Sequence, residues 1–425
     1  MKVLRMAGEV FRSLKHREYR IFALANTPAM VTDWMQRVGV GWLTWELTHS
    51  ATWLGLMGFA EYFPSLILSP LAGVLADRFN RHVVFLTCQA LLAIQAAVGA
   101  ILIYLDAMTI EYLFSVELAF GVIKAFDSTS RQSLLPSLVP REDVATAIGF
   151  DSLTFNAARV VGPAFAGVVI VAWGVGPTFA CNAIAYVGYV VALFLMNPPA
   201  ETRSPRGQSI AGSLWDGVVY IARHPGIGPM MLMLALVSVS GRSLLNFIPG
   251  FAGDVFDRGA DGLALLTAAM GMGAIGAGLY LTYRHGVRGL TRVMVRDQLI
   301  LGVAIAVFAA TDWFWLGVVT IVAVGFTVVS NSAGARIVTQ NAVIPEMRGR
   351  LASYYSVLQR GAGALGALLM GSLAELMGLQ NAFLLAAICC LAIGFWGRHK
   401  LPVMAPALEV DEVPRNRDVS AEVRR

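Results

Sequence analysis

The chain has 425 residues, 57% of them hydrophobic and 14% charged, with a formal net charge of +5; soluble domains carry roughly a quarter of their residues charged. So little polar surface excludes a water-soluble enzyme of this length, and cations scattered in short connections between apolar runs exclude a basic nucleic-acid-binding domain. The four cysteines, Cys88, Cys181, Cys389 and Cys390, all fall in apolar segments without ligand-like spacing, which predicts neither a disulfide nor a metal site.

Residues 1–20 are basic and contain no separate apolar core or small-residue cleavage site, so the first span reads as an uncleaved signal anchor. A lipid-spanning helix needs about 20 mostly apolar residues. Runs of that length, bounded by charge, Gly or Pro, recur near 21–46, 52–75, 82–105, 109–129, 144–172, 177–196, 227–250, 261–283, 291–311, 314–336, 350–374 and 379–397. The connections between them alternate in charge. One set holds Arg12 to Arg20, Arg78 with Arg81, Arg131 with Arg141, Arg203 with Arg206, Arg284 with Arg288, Arg348 with Arg350, and Arg398 with Lys400; the other holds essentially Arg258. The positive-inside rule makes the first set cytoplasmic, which requires an even number of spans and both termini inside. Trp42, Trp45, Trp53, Trp173, Trp313 and Trp315 fall at the predicted outer ends, where amphipathic rings settle.

The predicted fold is therefore an all-α membrane protein of twelve transmembrane helices in two halves of six. The halves are 1–196 and 227–401, joined by a cytoplasmic linker over 197–226 and followed by a disordered cytoplasmic tail over 402–425. Within the linker Ile210, Leu214, Val218 and Ile221 share one helical face, which predicts an interfacial amphipathic helix. The halves repeat each other: Pro140 precedes Gly162 and Gly167, and Pro345 precedes Gly366 and Gly371. Parallel halves around a midplane site are the arrangement that alternating access needs.

After the second span comes Gly73-Val-Leu-Ala-Asp77-Arg78-Phe-Asn-Arg81-His82. This closely resembles the loop signature of the major facilitator superfamily, with Asn80 and His82 where Gly and Lys are usual; Asn is the residue best able to replace Gly at positive φ. The resemblance implies a cytoplasmic latch in which Asp77 meets the start of the eleventh helix near Arg350, and Arg81 pairs with Asp127. Arg17-Glu-Tyr-Arg20 leading to Asp33-Trp34, Glu46 to Ser50, Arg131 to Pro136, Asn156 to Pro163, and Gln340 to Arg350 further resemble the enterobactin-exporter and macrolide-efflux branch. That branch implies export of a siderophore or drug on the proton gradient. Glu117 stands where many drug antiporters of the superfamily carry an Arg, so their coupling motif does not transfer.

Ionisable side chains at membrane depth are costly and mark functional sites. The first half holds Asp33, Arg37, Glu61, Glu117, Asp151 and Arg159 there, and the second half only Arg242 and Arg360 on this reading. Asp33 is the expected primary proton carrier, with Glu61 and Glu117 as further proton-coupling candidates. The i,i+4 spacing of Asp33 and Arg37 leaves a structural pair on one helix face as the alternative. Arg37, Arg159, Arg242 and Arg360 are the cavity or gate candidates, Arg159 standing one turn before Gly162-Pro163, where it can serve loosened backbone. Phe59, Tyr62, Phe63, Phe155, Phe247 and Tyr355 fall on spans expected to line the cavity.

The reading is of a monomeric, multi-pass transporter of the bacterial inner membrane, a proton-coupled exporter of a small amphipathic molecule, with no cofactor, no metal, no catalytic residues and no nucleic-acid partner. Its expected partners are the small-molecule substrate, protons and the lipid bilayer. The alternatives are proton-coupled uptake or lipid flipping on the same fold and, more remotely, a receptor or membrane enzyme. No phosphate-binding G-x-x-x-x-G-K-[ST] loop appears in the sequence.

Overall fold

A computed structural model describes residues 11–196, 221, 224–284, 286–343 and 345–409; the side chains of residues 11, 70, 73–78, 345–350, 352 and 353 lie outside that description. Lipid offers the backbone no hydrogen bonds, so apolar segments satisfy their own peptide groups as helices. Six follow in the first half: α1 (Arg17–Thr48), α2 (Ala51–Arg78), α3 (Arg81–Tyr104), α4 (Ile110–Leu134), α5 (Val144–Trp173) and α6 (Gly176–Phe194). In the second half come α7 (Ile227–Val237), α8 (Leu244–Gly250), α9 (Gly259–Tyr283), α10 (Leu290–Ala310), α11 (Phe314–Ala342), α12 (Pro345–Met377) and α13 (Leu379–Leu408).

Among the described residues, nine helical segments are long and apolar enough to cross a membrane, with Ile227–Val255 counted as one. Helices α1 and α4 are long enough but fall outside that set. Both carry charged residues of the site described below, which lower their mean hydropathy.

Local signals set the ends. Asn80 is not at positive φ (φ −63°), as the motif comparison suggested; its side chain instead caps α3, accepting from the backbone N–H groups of His82 and Val83 at 2.9 and 3.4 Å. Thr109 caps α4 in the same manner, accepting from Tyr112 at 3.4 Å. The expected span near 227–250 is interrupted by a π turn between α7 and α8, Ser238–Arg242, and a second π turn, Phe251–Val255, follows α8. Pro249 lies between them and has no N–H to donate, which favours a shift of hydrogen-bond register.

The chain forms two compact units, residues 1–204 with 246–268, and residues 205–245 with 269–425. In the first, α1 packs against α5 and α6, α2 against α4, and α3 against α4 and α6. Tyr19, Phe22, Phe85, Tyr186 and Tyr189 form an aromatic centre to its core. The 246–268 segment joins this unit through close approaches: a Cβ on Gly253 would meet the Trp45 indole nitrogen at 2.5 Å. In the second unit α10 packs against α13 and α11, and α12 lies on the first π turn.

Residues 402–408, expected in the tail, are helical. Helix α13 runs through Pro402 and Pro406 to Leu408, and Met404 and Leu408 are buried among Ile227, Met230, Leu290 and Val293. Residues 410–425, and the amphipathic linker helix apart from Ile221, lie outside the described residues.

Candidate functional site

The first unit contains a ladder of charges on α1, α2, α4 and α5, in which carboxylates alternate with cations. At its middle is Asp33 of α1. Oδ2 of Asp33 lies 2.7 Å from the Lys124 ammonium of α4. Its Oδ1 accepts from the Tyr186 hydroxyl at 2.5 Å and from Asn182 Nδ2 at 3.4 Å, both on α6. Asn182 is itself fixed: it donates to Gln36 Oε1 at 2.7 Å and accepts from the Thr32 hydroxyl at 2.8 Å. Donors from two other helices, α4 and α6, thus take the place of water around Asp33.

Three residues along α4, Asp127 is buried and accepts from Gln89 Nε2 of α3 at 2.5 Å, with Lys124 Nζ at 3.5 Å. Lys124 also lies 5.5 Å from the ring centres of Phe120 and Tyr186.

Toward the far end of α1, Arg37 forms an ion pair with Glu61 of α2 and donates to the Tyr62 hydroxyl at 2.9 Å. Its guanidinium lies 4.4 Å above the Trp34 ring, and that of Arg159 lies 5.6 Å from the same ring. Trp34 meets Phe155 edge-on at 6.1 Å, and Phe59 stacks on Phe63 at 4.2 Å. Two guanidiniums and an indole thus form one half-buried group, a cation–π arrangement. Glu117 of α4 is 5% exposed, within electrostatic reach of Arg37 and Asp33, and has no hydrogen-bond partner among the described residues. Nearer the start of α1, Asp151 accepts from Arg131 at 3.0 Å and from Asn26 at 3.1 Å, and Tyr189 donates to Asn26 at 3.2 Å.

The three proton-coupling candidates, Asp33, Glu61 and Glu117, therefore stand in one network with Arg37. The sequence reading missed Lys124, the residue that holds Asp33. A signal was present: the chain has four lysines, and Lys124 is the one inside an apolar span. Of the latch residues, Asp127 is placed as described and Arg81 opens α3, while the side chains of Gly73, Asp77 and Arg78 lie outside the described residues.

In the second unit, Arg242 ends the first π turn within electrostatic reach of Tyr355, and Arg360 stands half-buried on α12. The sequence reading named no acid in this half, and the structure shows one buried there. Asp297 of α10 is completely buried, bound by the Ser330 hydroxyl at 2.6 Å and by Arg296 at 3.0 Å. It was missed because it lies less than two turns into its helix beside two arginines, where it reads as part of a charged boundary.

Long apolar helices, a buried polar network and close interhelical glycines fit a multi-pass membrane protein, and the comparisons make it a transporter. The family of transmembrane secretion effectors, MFS_3, matches residues 9–424, and the chain belongs to it. The chain is 24% identical to the staphyloferrin A transporter of Staphylococcus aureus, over 85% of this chain and 90% of that one. It is 20% identical to macrolide efflux protein A of Streptococcus pyogenes, over 91% and 96% of the two chains. It is 26% identical to the enterobactin exporter EntS of Escherichia coli O1:K1, over 85% and 86%. Among solved structures, a bacterial homologue of the lysosomal transporter Spinster, inward-facing and occupied, superposes with a TM-score of 0.70 at 14% identity, covering 93% of this chain and 99% of that one. The fold is accordingly that of the major facilitators.

Proposed function

We propose that this chain is a secondary active exporter of a small amphipathic molecule, a siderophore or drug, that exchanges cargo for protons by alternating access in the bacterial inner membrane. In this reading twelve spans form two halves of six, with both termini in the cytoplasm and a single chain as the working unit. The observation that carries it is Asp33, a carboxylate at membrane depth whose two oxygens are held by Lys124 and by Tyr186 with Asn182. A proton arriving there competes with a bound ammonium, so loading and unloading change a charge contact between helices. Glu61 and Glu117 are then secondary proton groups, and the stack of Trp34, Arg37, Arg159 and Phe155 is the wall that meets cargo. Relatives named as exporters of enterobactin and as a macrolide efflux protein support the direction and cargo class.

The test is transport by the purified full-length chain in vesicles under an imposed pH gradient, with a macrolide and a catecholate siderophore as probes. Movement of either probe against its gradient, lost on adding a protonophore and lost in Asp33→Asn, is the expected result. Wild-type rate and stoichiometry in Asp33→Asn would remove Asp33 as the coupler, and cellular accumulation that a protonophore collapses would make the protein an importer.

A further inference from the structure

Lys124 stands between two carboxylates at unequal distances, 2.7 Å from Asp33 Oδ2 and 3.5 Å from Asp127 Oδ2. We infer that Lys124 is a transfer residue, holding Asp33 while that carboxylate is charged and moving to Asp127 when Asp33 takes up a proton. The inference rests on the reading above, in which Asp33 is the group that is loaded. It goes further in saying how the protonation of Asp33 on α1 reaches the contact between α3 and α4.

A lysine ammonium is a compact charge on a flexible four-carbon stem, so it can change partner without movement of its helix. Once Asp33 is neutral, an ammonium only 27% exposed at membrane depth must find another anion. Asp127 is one turn along the same helix. Glu117, the other carboxylate of α4 near this site, lies seven residues the opposite way, about 10 Å along the axis. Glu61 of α2 is occupied by Arg37. The remaining charged and titratable neighbours are Arg131 on α4, Cys88 on α3, and Tyr186 and Tyr189 on α6. As a cation, Arg131 repels the ammonium and offers it no alternative. Cys88, Tyr186 and Tyr189 bring no negative charge while protonated.

The arrival of Lys124 changes what Asp127 holds. In the structure Asp127 Oδ1 binds the Gln89 amide of α3 at 2.5 Å. The amide holds Oδ1 and the ammonium faces Oδ2, so neither displaces the other; an ammonium in full contact with Oδ2 neutralises part of the carboxylate charge that the amide binds, and the tie between α3 and α4 loosens. Gln89 lies eight residues, about 12 Å, from the start of α3, where the loop of Phe79 and Asn80 begins. By the charge asymmetry of the connections this is the cytoplasmic end. The sign suits an exporter that exchanges cargo for protons: the protonated state must open inward, and protonation weakens a contact near the inner end.

The test uses the full-length chain in lipid nanodiscs, with Cys88, Cys181, Cys389 and Cys390 replaced and exposed Phe79 changed to Cys and labelled with an environment-sensitive, pH-insensitive fluorophore. The expected result is an emission shift on going from pH 8 to pH 5.5 without cargo. That shift should vanish in Asp33→Asn, Lys124→Gln and Asp127→Asn and persist in Lys124→Arg. A full shift in Lys124→Gln, or in Asp127→Asn if Lys124→Gln does not fold, overturns the transfer role and leaves Asp33 as coupler to be judged by the vesicle assay. A full shift in Asp33→Asn overturns both readings, and a flat wild-type response overturns the transfer role.

Discussion

Arg37 reaches across to Glu61 of α2, and not along its own helix to Asp33, although the i,i+4 spacing allows either. The choice follows from Lys124, which already occupies Asp33, and from burial, since Glu61 is only 6% exposed and has no comparable source of compensation. Removing one partner of such a pair leaves an uncompensated buried charge, at a cost of about 3–5 kcal/mol. Arg37→Ala is expected to lose stability on that scale in thermal unfolding of the detergent-solubilised protein. Arg37→Met combined with Glu61→Leu should recover most of it, because replacing both charges by apolar groups removes the desolvation cost along with the attraction.

The repeated glycines make a second prediction. A Cβ on Gly162 would lie 2.5 Å from the Val31 carbonyl oxygen of α1, and one on Gly366 would lie 2.7 Å from the Val239 Cα in the corresponding helix of the second half. Both approaches are to backbone, which cannot rotate away. Gly162→Ala and Gly366→Ala should each destabilise by about 1–3 kcal/mol through overpacking. Gly188→Ala on α6, where a Cβ would meet nothing within 4 Å, should be neutral or gain about 0.5–1 kcal/mol from reduced chain entropy. Parallel melts of the three variants separate close packing from helix propensity.

That repeat shows how much of the molecule was legible beforehand. Apolar runs and alternating arginines placed the helices, and Pro140 and Pro345 with their glycines marked the duplication. The register goes deeper than those signals: Gln89 is the ninth residue of α3 and Gln298 the ninth of α10, while Asp127 and Asn331 are each the eighteenth of α4 and α11. The site was legible only as a set of costly residue types. Asp33, Glu61 and Glu117 stand out by charge, but their partners depend on which faces of α1, α2, α4 and α6 meet, and sequence spacing within one helix cannot report contacts across helices. Tyr186 and Asn182, which are uncharged, gave no signal at all. Charge together with Pro402, Pro406 and Pro414 suggested an unstructured tail after Leu401, yet Pro402 and Pro406 fit α13, whose last two turns are held by side-chain burial.

The end of α13 makes a prediction of its own. Glu409 accepts from the backbone N–H groups of Gly289 and Thr291 at 2.5 and 2.9 Å, placing a carboxylate on the first turn of α10, where unpaired N–H groups and the helix dipole favour an anion. Glu409→Ala should cost about 1 kcal/mol, the usual worth of a cap. Leu408→Ala should cost about 2–5 kcal/mol, because that side chain is fully buried against Gly226 and the core beside α7. If the segment were a solvated tail, both variants would melt with the wild type.

Asp297 is a second buried carboxylate to set against Asp33. It is completely buried, whereas the side chain of its partner Arg296 is 53% exposed. The two ends of this pair are therefore unequal. Asp297→Asn keeps an acceptor for the Ser330 hydroxyl and frees an arginine that water can solvate, so the loss should stay near 1 kcal/mol, the worth of one ordinary hydrogen bond. Arg296→Ala strands a buried carboxylate with one hydroxyl donor and should cost several times more, toward the 3–5 kcal/mol scale of a broken buried pair. Transport divides the same variants differently. Asp297→Asn should retain movement of a macrolide or siderophore driven by the pH gradient, because Asp297 has no lysine placed to exchange between it and a second carboxylate. Asp33→Asn should fold and lose that movement, since Asp33 has in Lys124 a partner with somewhere else to go. Gradient-driven transport lost in Asp297→Asn and kept in Asp33→Asn would move the coupling acid to the second half.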